Sequence, residues 1–152
     1  MRRKEKEITD KNELQKIIRS SQVCRLGLSD DTMPYIVPLC FGYKDNTLFF
    51  HSAQEGKKVG IIKKNPNVCF EFDQNSEVAR ANKPCSWGVK YQSIIGFGKV
   101  HILESLKDKR EALNIIMSQY SSEKHEFQDS AINKTFVFKV EINEITGKEA
   151  ED

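Results

Sequence analysis

Apolar positions along the chain fall into two periods, and the period changes often enough to mark elements. Leu14, Ile17 and Ile18 recur at helical spacing behind Asp10 and Glu13, which have the separation of a capping box. This predicts a first helix that stops near Ser20–Ser21. A short strand over Val23–Ser29 follows, with Asp30-Asp31-Thr32 as its turn. From Pro34 to Tyr43, Val37, Leu39, Phe41 and Tyr43 alternate with Ile36, Pro38, Cys40 and Gly42, and Lys44-Asp45-Asn46 turns the chain into a strand over Thr47–Ala53. Both faces of these strands carry apolar or small residues. Pro38 lacks a donor for a ladder, so its strand is expected at an edge or a break.

The second half repeats the theme with longer pieces. A short helix is predicted over Gln54–Lys64, with Ser52 and Glu55 at capping-box spacing and Val59 and Ile62 facing inward. Asn65-Pro66-Asn67 ends it, Val68–Phe72 reads as strand, and the polar stretch from Asp73 to Pro84 reads as a long loop. Tyr91–Leu103 is a long strand whose Gly96 and Gly98 predict a bulge or a close approach. Ser105 caps a helix with the stripe Leu113, Ile116, Met117 and Tyr120. A last strand, Thr135–Ile145, alternates Phe136, Phe138, Val140 and Ile142 against Lys139 and Glu141. Some six strands and three helices without strand–helix–strand alternation predict a mainly β, α+β fold: a six-stranded β-barrel with peripheral helices.

Composition narrows the class. With 152 residues the chain fits one domain, 1–152, whose first seven residues read as a charged tail. No apolar run approaches the roughly 20 residues needed to span a bilayer, and the N-terminus is charged rather than apolar. A cytoplasmic protein away from membranes is therefore expected. A net charge of +2 is too mild for nucleic acid. Basic residues instead cluster at Lys57–Lys58 and Lys63–Lys64, a pattern suited to a small anion. Cys24, Cys40, Cys69 and Cys85 lack metal-ligand spacing and are expected as free, buried thiols.

The segment from Phe50 to Lys58 carries the most chemistry. A strand ends in a hydroxyl, and a helix follows that starts with a glycine and two lysines. Unpaired N–H groups and the dipole of such a terminus suit a phosphate, although an ordinary solvated helix start has the same spacing. A Walker A spacing is missing, which disfavours an NTPase. His51 is either a satisfied core histidine or a proton carrier in a ligand pocket. Cys40 and Cys69 have no local histidine to activate them, and no Gly-x-Ser-x-Gly elbow exists. Trp87 and Tyr91 are candidates for a ligand wall or a subunit interface.

Taken in order, the pieces Pro34-Tyr35-Ile36-Val37-Pro38-Leu39, Phe41-Gly42-Tyr43, Leu48-Phe49-Phe50-His51-Ser52-Ala53, Gly56-Lys57-Lys58, Asn65-Pro66-Asn67-Val68-Cys69-Phe70 and Tyr91–Gly98 resemble a known family. It is the pyridoxamine 5'-phosphate oxidase-like FMN-binding split barrels, in the branch similar to 5-nitroimidazole-resistance proteins. The resemblance spans roughly residues 8 to 147. It implies a homodimer with FMN in grooves between subunits. Pro38, Leu39, Cys40 and Phe41 would lie along the isoalloxazine and offer it backbone groups. Ser52, Lys57 and Lys58 would hold the phosphate, with Ala53 beside them and Gly56 giving backbone access. His51 would sit by the flavin as the catalytic proton donor or acceptor-binding group, and Tyr91 and Ser93 would face a flavin from either subunit.

Two departures stand out. Lysines replace an arginine often found in this motif, and the tail after Ile145 lacks the arginine and histidine set of the true pyridoxamine-phosphate oxidases. The second speaks against vitamin B6 oxidation. The resemblance therefore implies an oxidoreductase passing electrons from NAD(P)H through FMN to a small acceptor such as a nitro-aromatic. A non-catalytic FMN carrier, or a haem-binding barrel with His51 as axial ligand, are the alternatives.

Overall fold

The computed structural model describes residues 3–150; of the charged tail, Met1 and Arg2 lie outside the described residues, as do Glu151 and Asp152. In chain order the elements are β1 (Glu7–Ile8), α1 (Lys11–Ser20), β2 (Cys24–Asp30), β3 (Met33–Leu39), β4 (Gly42–Lys44) and β5 (Thr47–Ala53). Then come α2 (Lys57–Lys64), β6 (Asn67–Ala79), β7 (Gly88–Leu103), α3 (Leu106–Tyr120), α4 (Asp129–Asn133) and β8 (Thr135–Ala150). All strands join one antiparallel sheet in the order β3-β2-β6-β7-β8-β5-β4, with β1 also on β8.

That order determines the shape. Only Cys40 and Phe41 connect β3 to β4, yet these are the two ends of the sheet. A link this short forces the sheet to curl until its edges meet. No ladder joins the edges among the described residues, so the barrel stays split along a seam. Phe41, Phe50, Phe70, Phe72 and Phe138 fill its interior with no exposed surface, Phe50 stacking on Phe138 at 5.2 Å. Leu14, Ile17 and Ile18 of α1 and Val59, Ile61 and Ile62 of α2 join the same core. The outer helix α3 forms a second core, in which Ala112, Leu113 and Ile116 pack with Ile132 and Val137.

The paired glycines of β7 do both things expected of them. A Cβ on Gly96 would collide with the Phe70 ring, and one on Gly98 with the Glu141 carbonyl. The register shifts between them, so Phe97 faces Glu144 while Gly98 faces Ile142. Asp10 and Ser105 cap their helices through the Asn12 and Asp108 N–H groups, at 2.9 and 3.0 Å.

The mainly β split barrel expected from the pattern is present, but among the described residues its strand count is eight. The Pro34–Tyr43 run breaks at Cys40–Phe41 into β3 and β4, because the chain there leaves one sheet edge for the other. Part of the charged tail is structured: Lys4–Lys6 form a 3₁₀ turn and Glu7 pairs with Lys148, ahead of the buried Ile8, which pairs with Gly147. The loop expected over Asp73–Pro84 is largely strand. β6 runs on to Ala79 along the length of β7, and a register shift between Gln74 and Glu77 absorbs the polar stretch, with Asn75 at φ +58°. Backbone pairing to a long neighbour holds this segment, which is why side-chain periodicity misses it. Ser52 and Glu55 form no capping box either, since α2 begins only at Lys57 with Gly56 in the cap position.

Candidate functional site

At the seam, the end of β5, the start of α2 and the edge strand β3 come together. Gly56 has φ +129°, a region that disfavours any side chain, and nothing lies within 4 Å of the place a Cβ would occupy. With glycine in the cap position, no cap side chain takes up the first N–H groups of the helix that follows. The Lys57 ammonium lies 4.8 Å from the centre of the Tyr35 ring, which brings this helix start against β3. Lys57 is exposed and Lys58 half-buried. Two ammonium groups at the positive end of a helix repel each other and the dipole, a cost that an anion placed between them would remove.

Ser52 is half-buried, and its hydroxyl donates to the Ala53 carbonyl at 2.9 Å; Ala53 is exposed at the end of the strand. Gln54 closes the turn by donating to the Asn133 carbonyl at 2.5 Å. His51 alternates outward and is solvent-accessible, so it is no core histidine. Its surroundings and, to a lesser degree, the Lys58 charge hold its pKa below the ordinary 6.5. It is therefore a neutral imidazole at pH 7, able to accept a proton at one ring nitrogen and donate from the other.

Across the seam, Pro38 is exposed on β3 opposite Arg25, and Leu39 turns toward the core. As expected for Pro38, β3 is a sheet edge, and half of its backbone groups have no strand partner. Cys40 is exposed at the break, not buried, because it lies outside both ladders. Phe41 differs from its three neighbours. Its ring is buried 4.9 Å from Phe72, and its N–H already donates to the Tyr120 hydroxyl at 3.0 Å.

Tyr91 and Ser93 lie elsewhere in the same chain. Ser93 pairs with Lys148 on β8, whereas Ser52 pairs with Phe136 on that strand. Twelve residues of strand separate the two, on the order of 35–40 Å if extended. Lys148 donates to the Tyr91 hydroxyl at 2.7 Å. Trp87, 49% exposed, folds back on its own loop, with its N–H on the Ala81 carbonyl at 2.8 Å and Arg80 over its ring.

Two tyrosines at the seam escape a reading by pattern. Tyr35 looks like one more alternating strand residue, and only the fold sets Lys57 on its ring. Tyr120 continues a core stripe by spacing, yet it is 43% exposed and its hydroxyl works on the backbone.

Comparison with known proteins agrees with this architecture. The sequence model of the pyridoxamine 5'-phosphate oxidase family matches residues 10–149. A crystal structure of a candidate 5-nitroimidazole antibiotic resistance protein from Bacteroides thetaiotaomicron VPI-5482 is 35% identical, with a TM-score of 0.85 over 94% of this chain and 86% of that one. The flavocytochrome Anf3 from Azotobacter vinelandii shares the fold at 14% identity, with a TM-score of 0.88 over 100% of this chain and 72% of its own. A FAD-binding protein from Mesorhizobium loti does so at 24% identity, with a TM-score of 0.68 over 93% and 96%. The uncharacterized protein RA0666 of Rhizobium meliloti (strain 1021) is 28% identical over 65 residues, which is 43% of this chain and 42% of its own length.

Proposed function

Because this chain belongs to the pyridoxamine 5'-phosphate oxidase family, we propose that it is a homodimeric flavoprotein that binds FMN at the seam and reduces a small acceptor such as a nitro-aromatic compound at the expense of NAD(P)H. One observation carries the reading. The uncapped start of α2, open at Gly56 and flanked by Lys57, Lys58 and the Ser52 hydroxyl, faces the unpaired edge of β3. Those groups fit a phosphomonoester joined to a flat ring. The nitro-aromatic acceptor rests on the 35% identity to the candidate resistance protein.

In this reading FMN supplies the hydride chemistry. Lys57, Lys58 and the α2 N–H groups hold the phosphate, each charged contact contributing about 1.5–3 kcal/mol. The Ser52 hydroxyl turns from the Ala53 carbonyl to join them. The exposed edge of β3 at Pro38 to Cys40 orients the ring, and His51 moves a proton between acceptor and solvent. One chain cannot bring Tyr91 and Ser93 to its own Ser52, so in the dimer they come from the partner.

An apolar row gives the dimer its surface. Ile36, Gly27, Cys69 and Phe97 stand opposite one another on four adjacent strands, with Ile36 68% and Phe97 50% exposed. The test is an absorption spectrum of the purified protein, with the released cofactor identified by mass, followed by NADH oxidation with a nitro-aromatic acceptor. FMN and turnover are expected. Bound FMN without turnover would reduce the reading to a carrier, and a Soret band without flavin would replace it with haem.

A further inference from the structure

Tyr120, the last residue of α3, bridges the two sides of the seam with one hydroxyl. It accepts the Phe41 N–H at 3.0 Å and donates its own proton to the Gln22 carbonyl at 2.8 Å, just ahead of β2. The ring stands edge-on to Phe41 at 6.5 Å, so ring and hydroxyl grip the same residue. The helix end that carries it cannot drift. Neighbouring Gln119 donates to the carbonyls of Arg19 at 2.9 Å and Ser21 at 3.1 Å, and Gly42 lets the Ile115–Ile116 backbone of α3 lie flat on β4. The hydroxyl therefore holds a chosen backbone donor at the one place where the chain crosses from one sheet edge to the other.

We infer that Tyr120 is a positioning residue for the ring-binding strip: by taking the Phe41 N–H for itself, it leaves the N–H of the exposed Cys40, and not that of Phe41, to face the ligand. This rests on the flavin reading above. A buried N–H without a partner costs free energy, so the peptide at Phe41 has a strong preference for the orientation in which Tyr120 meets it. Cys40 is joined to it directly and is bound by neither ladder. Its backbone direction follows that of Phe41, and through it the hydrogen bonding offered to a flavin ring.

The test compares FMN binding to the wild-type protein, Tyr120→Phe and Gln119→Leu. Tyr120→Phe keeps the ring and removes the hydroxyl. Its FMN Kd is expected to rise roughly three- to tenfold, the span of one net hydrogen bond. The visible flavin band and the midpoint potential of the bound FMN should move with it, since the groups facing the ring have changed. Gln119→Leu loosens the same helix end but leaves the Tyr120 hydroxyl to meet Phe41, and should shift band and potential in the same direction by clearly less than Tyr120→Phe does. Equal shifts in both variants, or none in Tyr120→Phe, overturn the inference. In the wild-type protein the Phe41 amide should be protected from hydrogen exchange before and after FMN is added. Loss of that protection on adding FMN, meaning that the Phe41 N–H has left the Tyr120 hydroxyl for solvent, overturns it without any variant. Wild-type protein that takes up no FMN overturns the flavin reading and this inference with it.

Discussion

Lys57 and Lys58 sit where a helix by itself would favour carboxylates, and among the described residues neither forms an ion pair with an acidic side chain. In the proposed reading an anion bound between them offsets this cost. Replacing both by alanine should lower FMN affinity by more than tenfold while leaving the melting temperature of the apoprotein unchanged or slightly raised; fluorescence titration and thermal unfolding check both halves. His51 feels the same charges. Its pKa is held down first by the partial desolvation of a ring that still reaches solvent and second by Lys58, so Lys58→Met should move it part of the way back toward 6.5, as read by NMR titration. The sign of the linkage follows. The unfolded chain takes up the His51 proton at higher pH than the folded one, so this residue's contribution to stability is full above pH 6.5 and declines as pH falls toward its folded pKa. Reduction of the acceptor consumes protons, and His51 gives one up only as imidazolium, so the acceptor-reduction rate should rise as pH falls below 6.5, and His51→Ala should flatten that rise.

Among the elements, glycine separates tight packing from open space. At Gly42 a Cβ would lie 2.7 Å from the backbone of Ile115 in α3, and a helix cannot yield as a side chain can. Gly42→Ala should cost about 1–3 kcal/mol by overpacking and should weaken FMN binding, because α3 carries the Tyr120 contact to the seam. Gly60, inside α2, has nothing within 4 Å of its virtual Cβ. Gly60→Ala should stabilise the protein by about 0.5–1 kcal/mol through the helix propensity alone. Urea denaturation of the two variants reads both, and opposite signs are expected. The capping pattern had the same double character. Asp10 and Ser105 cap as spacing predicts, whereas Ser52 does not, since the chain needs three more residues to turn from β5 into α2.

For the whole molecule the decisive quantity is the distance between the two halves of the proposed site. Ser52 and Ser93 meet β8 twelve residues apart, and no rearrangement of a paired ladder brings them together. The outer face between β3 and β7 is apolar through Ile36, Cys69 and Phe97, with Arg25 paired to Glu71 and Asp73 beside it. A second copy seated there would cover that face. Phe97→Glu should therefore shift the protein from dimer to monomer in light scattering at micromolar concentration, and FMN affinity should fall in parallel. An FMN-binding monomer of undiminished affinity would break the link between dimer and site.

Much of this was legible in the residues themselves. The Lys44-Asp45-Asn46 turn located β5 to the residue, the Gly96–Gly98 pair announced its bulge, Pro38 announced an edge, and the order of short motifs identified the family, because each of these is a property of local sequence. What spacing could not hold was everything that depends on a partner far along the chain. β6 continues through Asp73–Ala79 because β7 lies beside it, not because its side chains alternate. Cys40 is exposed because two edges of one sheet meet there, and Tyr120 left its apparent core stripe because its hydroxyl found the Phe41 N–H 79 residues away. Hydrophobic periodicity records which face of an element is dry. Where edges meet, which backbone groups remain unpaired and which side chain claims them are decided only when the sheet has curled.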